Sequence, residues 1–295
     1  MVSWPEPGTR VTVRYRRPAG SVPPLTDAIG HLLAVDPVVR VQTKTGAIVE
    51  FTPADAVALR VLTDTPVRTS DIRALEHAAA MAWPGLEQSW LDGWLLRAGC
   101  GVTNAANSAL PLDLSTHQDS LPAVAAWYAA RGLVPRLAIP DRLLRAPPGW
   151  ASQRTHRVLV RDVAARVSDD SVILSVRPDE SWLRSQRREV PVDMLTAVVD
   201  GEVVFGAGQS GAIARAAVTD APDGARWVGL SAVRAPSRRS GAQLCEALLS
   251  WGARRGATRG YLYLDDSAAT GPAESLGFRL HHRTRYFLAR PPDNL

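Results

Sequence analysis

Hydrophobic and polar positions alternate with a period of two over much of the first 62 residues. The runs "RVTVRYR", "VRVQTKTGAIVEF" and "AVALRVL" follow this pattern, and "DAIGHLLAVDP" adds a strand flanked by turns. The turn "TKTG" (Thr43 to Gly46) separates two strand runs and predicts a hairpin. Several short strands in so few residues predict a small all-β barrel of the SH3 or Tudor type over residues 1–66. Such barrels serve many purposes, so this one indicates only a docking or dimerising module.

The next segment, residues 67–165, mixes the helical period with the strand period. "TSDIRALEHAAAMAW" has its apolar residues on one helix face, and Thr69 or Ser70 can cap it. "SWLDGWLLRAG", with a turn at Asp92 and Gly93, and "VTNAANSALPLD" favour strands. "DSLPAVAAWYAARGLVPRLAIP" predicts a helix that stops at Gly132 and a strand that follows it.

Residues 166–295 repeat this mixture of helices and strands over a longer segment. "VDMLTAVVDGEVVFGAG" predicts a hairpin with Asp200 and Gly201 at its tip, and "AIARAAVTD" and "RWVGLSAV" extend the sheet. A long helix follows Gly241 and ends near Gly256, and "YLYLDD" comes next. A second helix over 268–276 precedes the strands "FRLHH" and "RYFLAR". The shared order of helix, glycine and strand in the last two segments leaves a degenerate tandem repeat open.

Composition narrows the class of protein. The hydrophobic fraction is 46%, and no run of apolar residues is long enough to cross a membrane. The N-terminus lacks the apolar core of a secretory signal, and the two cysteines suggest neither a disulfide framework nor a metal cluster, so we expect a reducing cytoplasm. The net charge is +5, but Lys44 is the single lysine and no dense basic block occurs, so we do not expect nucleic acid as the partner.

The segment "VRAPSRRSGAQLCEALLSWGARRGA" (Val233 to Ala257) carries the clearest chemical pattern. It joins a strand to a long amphipathic helix through a short basic turn that contains a glycine. A helix N-terminus exposes N–H groups without intrahelical partners and the positive end of the helix dipole. Glycine lets an anion approach the backbone closely, and arginines reinforce the charge, so the turn predicts a diphosphate site.

This turn resembles the pyrophosphate loop of the GNAT superfamily of acetyl-CoA-dependent N-acyltransferases. The downstream strand "YLYL" and the "SLGF" at Ser275 to Phe278 resemble that family in their order. The likeness covers residues 172–290, and the whole chain resembles actinobacterial GNAT proteins with an N-terminal SH3-like barrel, described as N-acetylglutamate synthase-like. The resemblance implies an α/β fold of the GNAT type: a mixed, mostly antiparallel sheet flanked by helices, behind the small barrel.

The resemblance also assigns a cofactor site residue by residue. The family loop has the pattern Gln/Arg-x-x-Gly-x-Gly/Ala; Arg238 and Gly241 match it, and Gln243 stands where a small residue is expected. The end of the preceding strand would face the acetyl group and the pantetheine arm, and Asp266 stands where the family often has Asn. The cofactor-binding residues so assigned are Ser231, Ala232, Val233, Arg238, Arg239, Ser240, Gly241, Ala242, Gln243 and Asp266.

The catalytic groups are not assigned. The implied mechanism is direct attack of an amine on the thioester, with an acid that protonates the sulfur. Ala273 stands where the family often has the Tyr that serves as this acid. The local phenols and imidazoles that remain are Tyr261, Tyr263, Tyr286, His281 and His282. No residue is singled out as the base.

Other chemistries fit the sequence less well. His281 and His282 lack a third metal ligand, and strand alternation would send their rings to opposite faces, so no metal site is predicted. "GQSGA" (208–212) is not a serine-nucleophile elbow, and the glycines around it precede a strand, not the helix that a dinucleotide loop requires. "TNAANS" and the rings of Trp94 and Trp127 are candidates for an acceptor pocket.

Three functions remain open on the sequence. The first is an acetyl-CoA-dependent N-acetyltransferase that acts on an amine of a small molecule or a protein; glutamate is suggested by the narrower resemblance alone, and Arg97, Arg215 or Arg283 can supply a carboxylate site. The second, motivated by Gln243 and Ala273, is a degenerate GNAT domain that binds acyl-CoA or a protein. The third is a nucleic-acid module built on the barrel. Oligomeric state is left open.

Overall fold

A computed structural model describes residues 2–62, 67–166, 171–186, 190–208 and 211–289, and the chain divides into two compact units, residues 1–66 and 67–295. The first unit is an antiparallel sheet in the order β4-β3-β2-β1-β5. Its strands are β1 (Arg10–Arg16), β2 (Leu25–Ala34), β3 (Val39–Thr43), β4 (Ile48–Phe51) and β5 (Ala56–Val61).

This first sheet corrects the predicted barrel. Within residues 2–62, β4 and β5 form the two ends of the sheet and do not pair with each other, so the sheet is open. The predicted hairpin is confirmed, with Gly46 at φ +85° in the turn between β3 and β4. The alternation seen in the sequence buries one face of the sheet. Its buried residues include Val11, Val13 and Val41.

The second unit mixes helices and strands. Its first half comprises α1 (Thr69–Ala82), β6 (Glu87–Leu91), β7 (Trp94–Ala98), β8 (Leu110–Pro111), α2 (Leu121–Ala129), β9 (Arg136–Pro140) and β10 (Trp150–Asp162). Its second half comprises β11 (Val172–Ser175), α3 (Glu180–Gln186), α4 (Val192–Thr196), β12 (Glu202–Gly208), β13 (Ile213–Asp220), β14 (Arg226–Arg234), α5 (Arg238–Ala253), β15 (Arg259–Asp265), α6 (Gly271–Glu274) and β16 (Arg279–Ala289).

An eight-stranded sheet in the order β11-β12-β13-β14-β15-β10-β16-β9 forms the centre of this unit. Its neighbours run antiparallel except β14 and β15, which are parallel. Strands β9 and β10 precede residue 166 in the chain, so the sheet joins the two sequence segments that flank this position. A second sheet, β6-β7-β8, lies in the same unit.

Helices cover both faces of the large sheet. Helix α5 packs on β12, β13 and β14, and its Leu244 and Leu248 enter a core with Leu230 and Leu262. Helix α1 contributes Leu75 to a different core, together with Val158, Trp227 and Tyr261. Leu159 and Val158 are adjacent on β10 and enter different cores because successive side chains of a strand point to opposite faces. The layers confirm the predicted α/β fold class.

The structure differs from the sequence-based elements at several places. Strand β10 and helix α3 were not predicted. The predicted hairpin over 192–208 is wrong because Val192–Thr196 is helical, and β12 instead pairs with β11 and β13. "VTNAANSALPLD" holds a short 3-10 turn at Ala105–Asn107 and only the two-residue β8. The predicted caps Thr69 and Ser70 are also wrong: α1 begins after Arg68, whose N–H donates to Asp71 Oδ2 at 3.2 Å.

Two predicted elements have other lengths than expected. The helix expected over 268–276 is limited to α6. The two predicted strands "FRLHH" and "RYFLAR" form the single strand β16, which begins at Arg279, after Phe278; Arg290 lies outside the described residues. The serine of "GQSGA", Ser210, also lies outside them. None of the described helices is both long and apolar enough to span a membrane.

Candidate active site

Strands β14 and β15 separate where β14 carries a bulge. Their parallel pairing runs from Trp227 and Arg259 to Leu230 and Leu262 and stops there. On the other edge of β14, Arg215 pairs with Ser231 but Ile213 pairs with Arg234, so β14 has one extra residue in this step. Ala232 lies in the bulge at φ +52°, a left-handed conformation that a non-glycine residue rarely adopts. The sheet therefore opens directly after Leu230.

Helix α5 begins beside this opening. Ser237 is its N-cap: the Ser237 Oγ accepts from the Ser240 N–H at 3.2 Å, and the first backbone bond runs from the Gly241 N–H to the Ser237 carbonyl at 3.1 Å. The N–H groups of Arg238 and Arg239 precede this bond and so have no carbonyl within the helix to donate to. Gly241 lies inside the helix and not in a turn before it, so the basic turn of the sequence is largely the first turn of α5.

A cleft of about 580 Å³ lies between the end of β14, the end of β15 and the start of α5. Six of the ten residues assigned to the cofactor line it: Ser231, Ala232, Val233, Arg238, Gly241 and Ala242. Ala273 and Cys245 also line it, and burial raises the pKa of the Cys245 thiol to about 12. The wall of the cleft thus combines the N-terminus of α5 with apolar side chains.

The other four assigned residues lie outside the lining. Arg239, Ser240 and Gln243 belong to the first turns of α5, and Gln243 is exposed to solvent. Asp266 forms ion pairs through its Oδ1 with Arg157 Nε at 3.5 Å and with Arg283 Nε at 3.6 Å. The long side chain of Gln243 therefore does not occupy the cleft.

A second cavity, of about 180 Å³, meets the cleft at the bulge. Leu230, Ser231, Ala232 and Tyr263 line both spaces. The rest of the wall includes residues of α1, β7, β10 and β13, which contribute the polar groups of Glu76, Arg97, His156 and Arg215. The separation of β14 from β15 thus connects a long cleft to a compact, polar cavity.

Glu76 is a buried carboxylate in the wall of this cavity. Its Oε1 accepts from Thr284 Oγ1 and lies 2.8 Å from His282 Nε2, and the hydroxyl of Tyr263 forms a third hydrogen bond to the carboxyl group. Burial by itself raises the pKa of this carboxyl, yet its hydrogen-bond partners outweigh burial and hold the pKa below its ordinary value. Glu76 is therefore ionised at neutral pH.

Helix α1 places Glu76 on its apolar face, four residues after Ile72 and one after Leu75, both of which are buried. A carboxylate at such a position is unusual, so the sequence carries a signal for Glu76, although Glu76 is not among the residues predicted above. His156, on the unpredicted strand β10, also lines the cavity, and burial lowers its pKa. Both groups were therefore missed.

Two buried arginines also belong to the cavity wall. Arg215 donates from Nε to the Leu195 carbonyl at 2.6 Å and from Nη2 to the carbonyls of Ala82 and Ala197, both at 2.9 Å. Arg97 donates from Nη2 to Ser108 Oγ at 3.1 Å and is 4% exposed. Of the three arginines that the sequence offered as carboxylate partners, the structure brings Arg97 and Arg215 to the cavity, whereas Arg283 pairs with Asp266.

The five residues predicted as candidates for the acid differ in whether they line the cleft or the cavity. Tyr263 lines both spaces, and Tyr261 and Tyr286 line the cavity alone. His281 and His282 are buried and line neither. Burial raises the pKa of the Tyr263 phenol well above its ordinary value, so this group is protonated at neutral pH.

The two histidines do not point to opposite faces as predicted. Val158 pairs with His282 but Leu159 pairs with Leu280, so His281 is an extra residue in β16. This bulge brings the rings into contact, with their Nδ1 atoms 2.8 Å apart. The rule of strict alternation fails here because the strand is irregular.

Of the other predicted acceptor groups, "TNAANS" reaches the cavity through Ala105. Trp94 is buried with Leu96 and Tyr128, and Trp127 packs under Arg131, so neither ring lines the cavity. In "TNAANS", Asn107 is used to fix the loop, because its side chain bonds to Gly99 and Gly101. Trp83 is the tryptophan that lines the cavity.

Residues 69–287 match the protein family described as "Probable histone acetyltransferase Rv0428c C-terminal". The chain belongs to this family. It is 64% identical to the "Probable histone acetyltransferase Rv0428c" of Mycobacterium tuberculosis over 295 residues, which cover 98% of each chain. Residues 5–60 match the "Rv0428c N-terminal Sm-like domain". The small β-domain of this chain is therefore Sm-like, which corrects the SH3 or Tudor type predicted from the sequence.

The fold of this chain is also similar to that of a solved structure, a GCN5-related N-acetyltransferase from Kribbella flavida. The TM-score is 0.52 at 14% identity, over 75% of this chain and 96% of that chain. The likeness establishes the GNAT fold that the resemblance implied. Together with the family, it makes the chain an acetyltransferase of the GNAT type.

Proposed function

We propose that this protein transfers the acetyl group of acetyl-CoA to an amine that enters the compact cavity. The observation that carries the proposal is the meeting of two spaces at the β14 bulge, a long cleft at a helix N-terminus and a smaller polar cavity. A donor with a diphosphate and an extended arm matches the first space, and a small acceptor matches the second. The alternative of a degenerate binding domain does not explain the ionised Glu76 in the second space.

The residues at the cleft would hold the donor. The N-terminal N–H groups of α5 and the guanidinium of Arg238 would bind the diphosphate. The backbone of Ser231 to Val233, freed from β15 by the separation of the strands, would bond the pantetheine arm and the thioester carbonyl. Asp266 has no part in this proposal, because it lies in ion pairs outside the cleft.

The proton transfers would use Glu76 and Tyr263. Glu76 accepts the proton of the attacking amine as the carbon–nitrogen bond forms and the carbon–sulfur bond breaks. Tyr263 protonates the leaving sulfur, and the hydrogen bond between the two side chains lets Glu76 return its proton to the phenolate. Tyr263 thus would take the part that Ala273 cannot.

The acceptor is a primary amine, and two sources are candidates. The relative from M. tuberculosis is named for histones, so a lysine of a basic protein is one. The narrower resemblance to N-acetylglutamate synthase-like proteins suggests an amino acid such as glutamate. Both share the cavity and the proton path described here.

The first test is acetyl-CoA binding by calorimetry to the wild type, Arg238→Glu and Arg239→Glu. Arg238 lines the cleft, whereas Arg239, its neighbour in the same turn, does not. Both substitutions change the net charge equally, so Arg239→Glu is the control for the charge change in Arg238→Glu. We expect Arg238→Glu to weaken binding by about 10- to 100-fold, the loss of one charge-assisted hydrogen bond, and Arg239→Glu to weaken it less.

The second test measures CoA release with amines of both kinds. Steady release that depends on the amine supports catalysis. A folded wild type that binds no acetyl-CoA, or binds it and releases no CoA with any amine, would refute the proposed function.

A further inference from the structure

The acetyl transfer proposed above releases one proton that Glu76 and Tyr263 do not account for. A primary amine such as a lysine side chain has an ordinary pKa of about 10.4, so at neutral pH it is an ammonium ion. An ammonium ion and acetyl-CoA give an amide, free CoA and one proton, which must leave the cavity. Glu76 and Tyr263 pass between them the proton that the nitrogen loses during attack, so they do not release this earlier one.

Glu76 is poorly placed to export the ammonium proton, because it must be free of a proton when the amine attacks. Its Oε1 accepts from Thr284 Oγ1 and from His282 Nε2, and Tyr263 donates to the same carboxyl group. The second ring nitrogen of His282, Nδ1, faces Nδ1 of His281 at 2.8 Å. All three partners of the ionised carboxylate are donors to it, so none of them is placed to receive a proton from it.

His156 is the one described histidine that lines the compact cavity. Its ring packs edge-on against the rings of Tyr286 and Tyr263, with the centroids 5.0 and 6.3 Å away, and these contacts hold it in place. Among the described residues neither ring nitrogen of His156 has a hydrogen-bond partner. A neutral imidazole has one nitrogen with a free lone pair. His156 is therefore a base that is held in position and is not engaged by the protein.

A row of side chains leads from His156 to solvent. On β10, His156 lies directly opposite Thr284 of β16 and Asp265 of β15, so the three side chains share one face of the sheet. Thr284 is a partner of Glu76, whereas the Asp265 side chain is 39% exposed and pairs with Arg154 at 3.2 Å. His156 itself is only partly buried. It thus lies between the buried carboxylate and the surface.

The charges around His156 favour its neutral form. Burial lowers the pKa of His156 and the Arg154 guanidinium lowers it further, whereas Asp265 and Glu76 act in the opposite direction. The two phenols against the ring are uncharged at neutral pH, because burial raises the pKa of both. The imidazole is therefore able to accept a proton at neutral pH, and its low pKa lets it lose that proton again to water.

We infer that His156 takes the ammonium proton of the acceptor inside the cavity and passes it to water beside Asp265. The inference rests on the proposed function. An N–H bond of the ammonium ion breaks, the proton binds the free nitrogen of the imidazole, and the acceptor nitrogen regains the lone pair with which it attacks the thioester. Glu76 then takes a second proton as the amide forms. The protein thus uses the abundant ammonium form of its substrate and not the rare free amine.

The test is the pH dependence of kcat/KM for CoA release from about pH 7 to 9.5, in the wild type and in His156→Gln. The acceptor is a lysine peptide or glutamate, whichever gives the faster release with the wild type. Glu76 is ionised over this whole range, because its pKa lies below its ordinary value, so the carboxylate does not change the profile.

We expect a level profile in the wild type. His156→Gln should use only the free amine, so its kcat/KM should rise about tenfold per pH unit below the pKa of the amine. For a lysine side chain the loss relative to the wild type should be about 1,000-fold at pH 7 and about 10-fold at pH 9.5, which follows from the fraction of free amine. Misfolding would not produce such a recovery at high pH.

His77→Gln is the matched control. His77 is also partly buried and burial lowers its pKa, but it does not line the cavity. Its profile should stay as level as that of the wild type. Acetyl-CoA binding by calorimetry checks that both variants are folded.

Three results would overturn the inference while CoA release by the wild type leaves the proposed function standing. The first is a wild-type profile that itself rises about tenfold per pH unit, because the protein would then take free amine from solution. The second is a loss in His156→Gln that is absent or equal at every pH. The third is the same rising profile in His77→Gln. No release with any amine would instead refute the proposed function, and the inference with it.

Discussion

Tyr263→Phe removes one hydroxyl from the point where the cleft and the cavity meet. The ring is kept, so the walls of both spaces change little. If Tyr263 protonates the sulfur, kcat falls by about 100-fold, the lower end of what general acids contribute, because a thiolate leaves readily without help. The loss of one hydrogen bond costs about 1 kcal/mol of stability, too little to unfold the protein.

The same substitution changes the pH profile in a direction that can be worked out. The Tyr263 hydroxyl is one of the donors that lower the pKa of Glu76, so its removal raises that pKa. Glu76 must be ionised to accept the amine proton, and the acid limb of kcat/KM therefore moves to higher pH. The assay is CoA release at saturating acetyl-CoA, followed from neutral pH down to below about pH 4, because the pKa of Glu76 lies below that of an ordinary carboxyl group.

Tyr261→Phe is the matched control, because this neighbouring phenol lines the cavity but not the cleft. It should retain most of the wild-type rate and its acid limb. Wild-type kcat in Tyr263→Phe, or an equal loss in Tyr261→Phe, would refute the proton path through Tyr263.

Three further predictions concern stability, each measured as the free energy of unfolding in urea. Gly252→Ala should lower the free energy of unfolding by about 1 kcal/mol although alanine favours helices, because the new Cβ would lie 2.5 Å from the Cβ of Val228 and overpacking outweighs helix propensity. Gly271→Ala is the control, because the space around its Cβ is open. A gain of stability in Gly252→Ala would contradict the packing. Ser237→Ala should lose about 1 kcal/mol with the N-cap of α5, so an unchanged value would show that the cap is not used. Burial lowers the pKa of His281 to about 3, so below the ordinary pKa of histidine the unfolded chain binds more protons than the folded one. The free energy of unfolding should therefore fall as the pH drops from about 6.5 toward 3. His281→Gln should make this fall less steep, and an equally steep fall in the variant would exclude His281 as its cause.

The parts of the fold that local patterns specify could be predicted from the sequence. The strand before the basic turn, helix α5 and β15 follow from apolar spacing and from the glycine at φ +86° after the helix, Gly256. Strand β10 could not, because its first half is polar and partly exposed and only its pairing with β15 and β16 makes it a central strand. Propensity does not include partners that are distant in sequence.

The residues that line the cleft could be predicted from the sequence more readily than those that line the compact cavity. Much of the wall of the cleft comes from one continuous segment, from Ser231 to Ala242, whereas the polar groups of the cavity, Glu76, Arg97, His156 and Arg215, come from four separate elements. The bulge at His281 adds a second difficulty, because an extra residue in one strand changes which side chains share a face. Such irregularities depend on the register between strands, and the sequence of one strand does not specify the register.

The order of strands in the large sheet has a consequence for synthesis of the protein. Strand β9 pairs in the sheet with β16, and β10 lies between β15 and β16, although β9 and β10 leave the ribosome long before either partner. A nascent chain that has reached only β14 therefore exposes two unpaired strands, whose free backbone groups can pair with other chains. The compact cavity, whose wall includes Tyr286 of β16, is completed only after translation of β16. This cavity is thus one of the last parts of the fold that the growing chain completes.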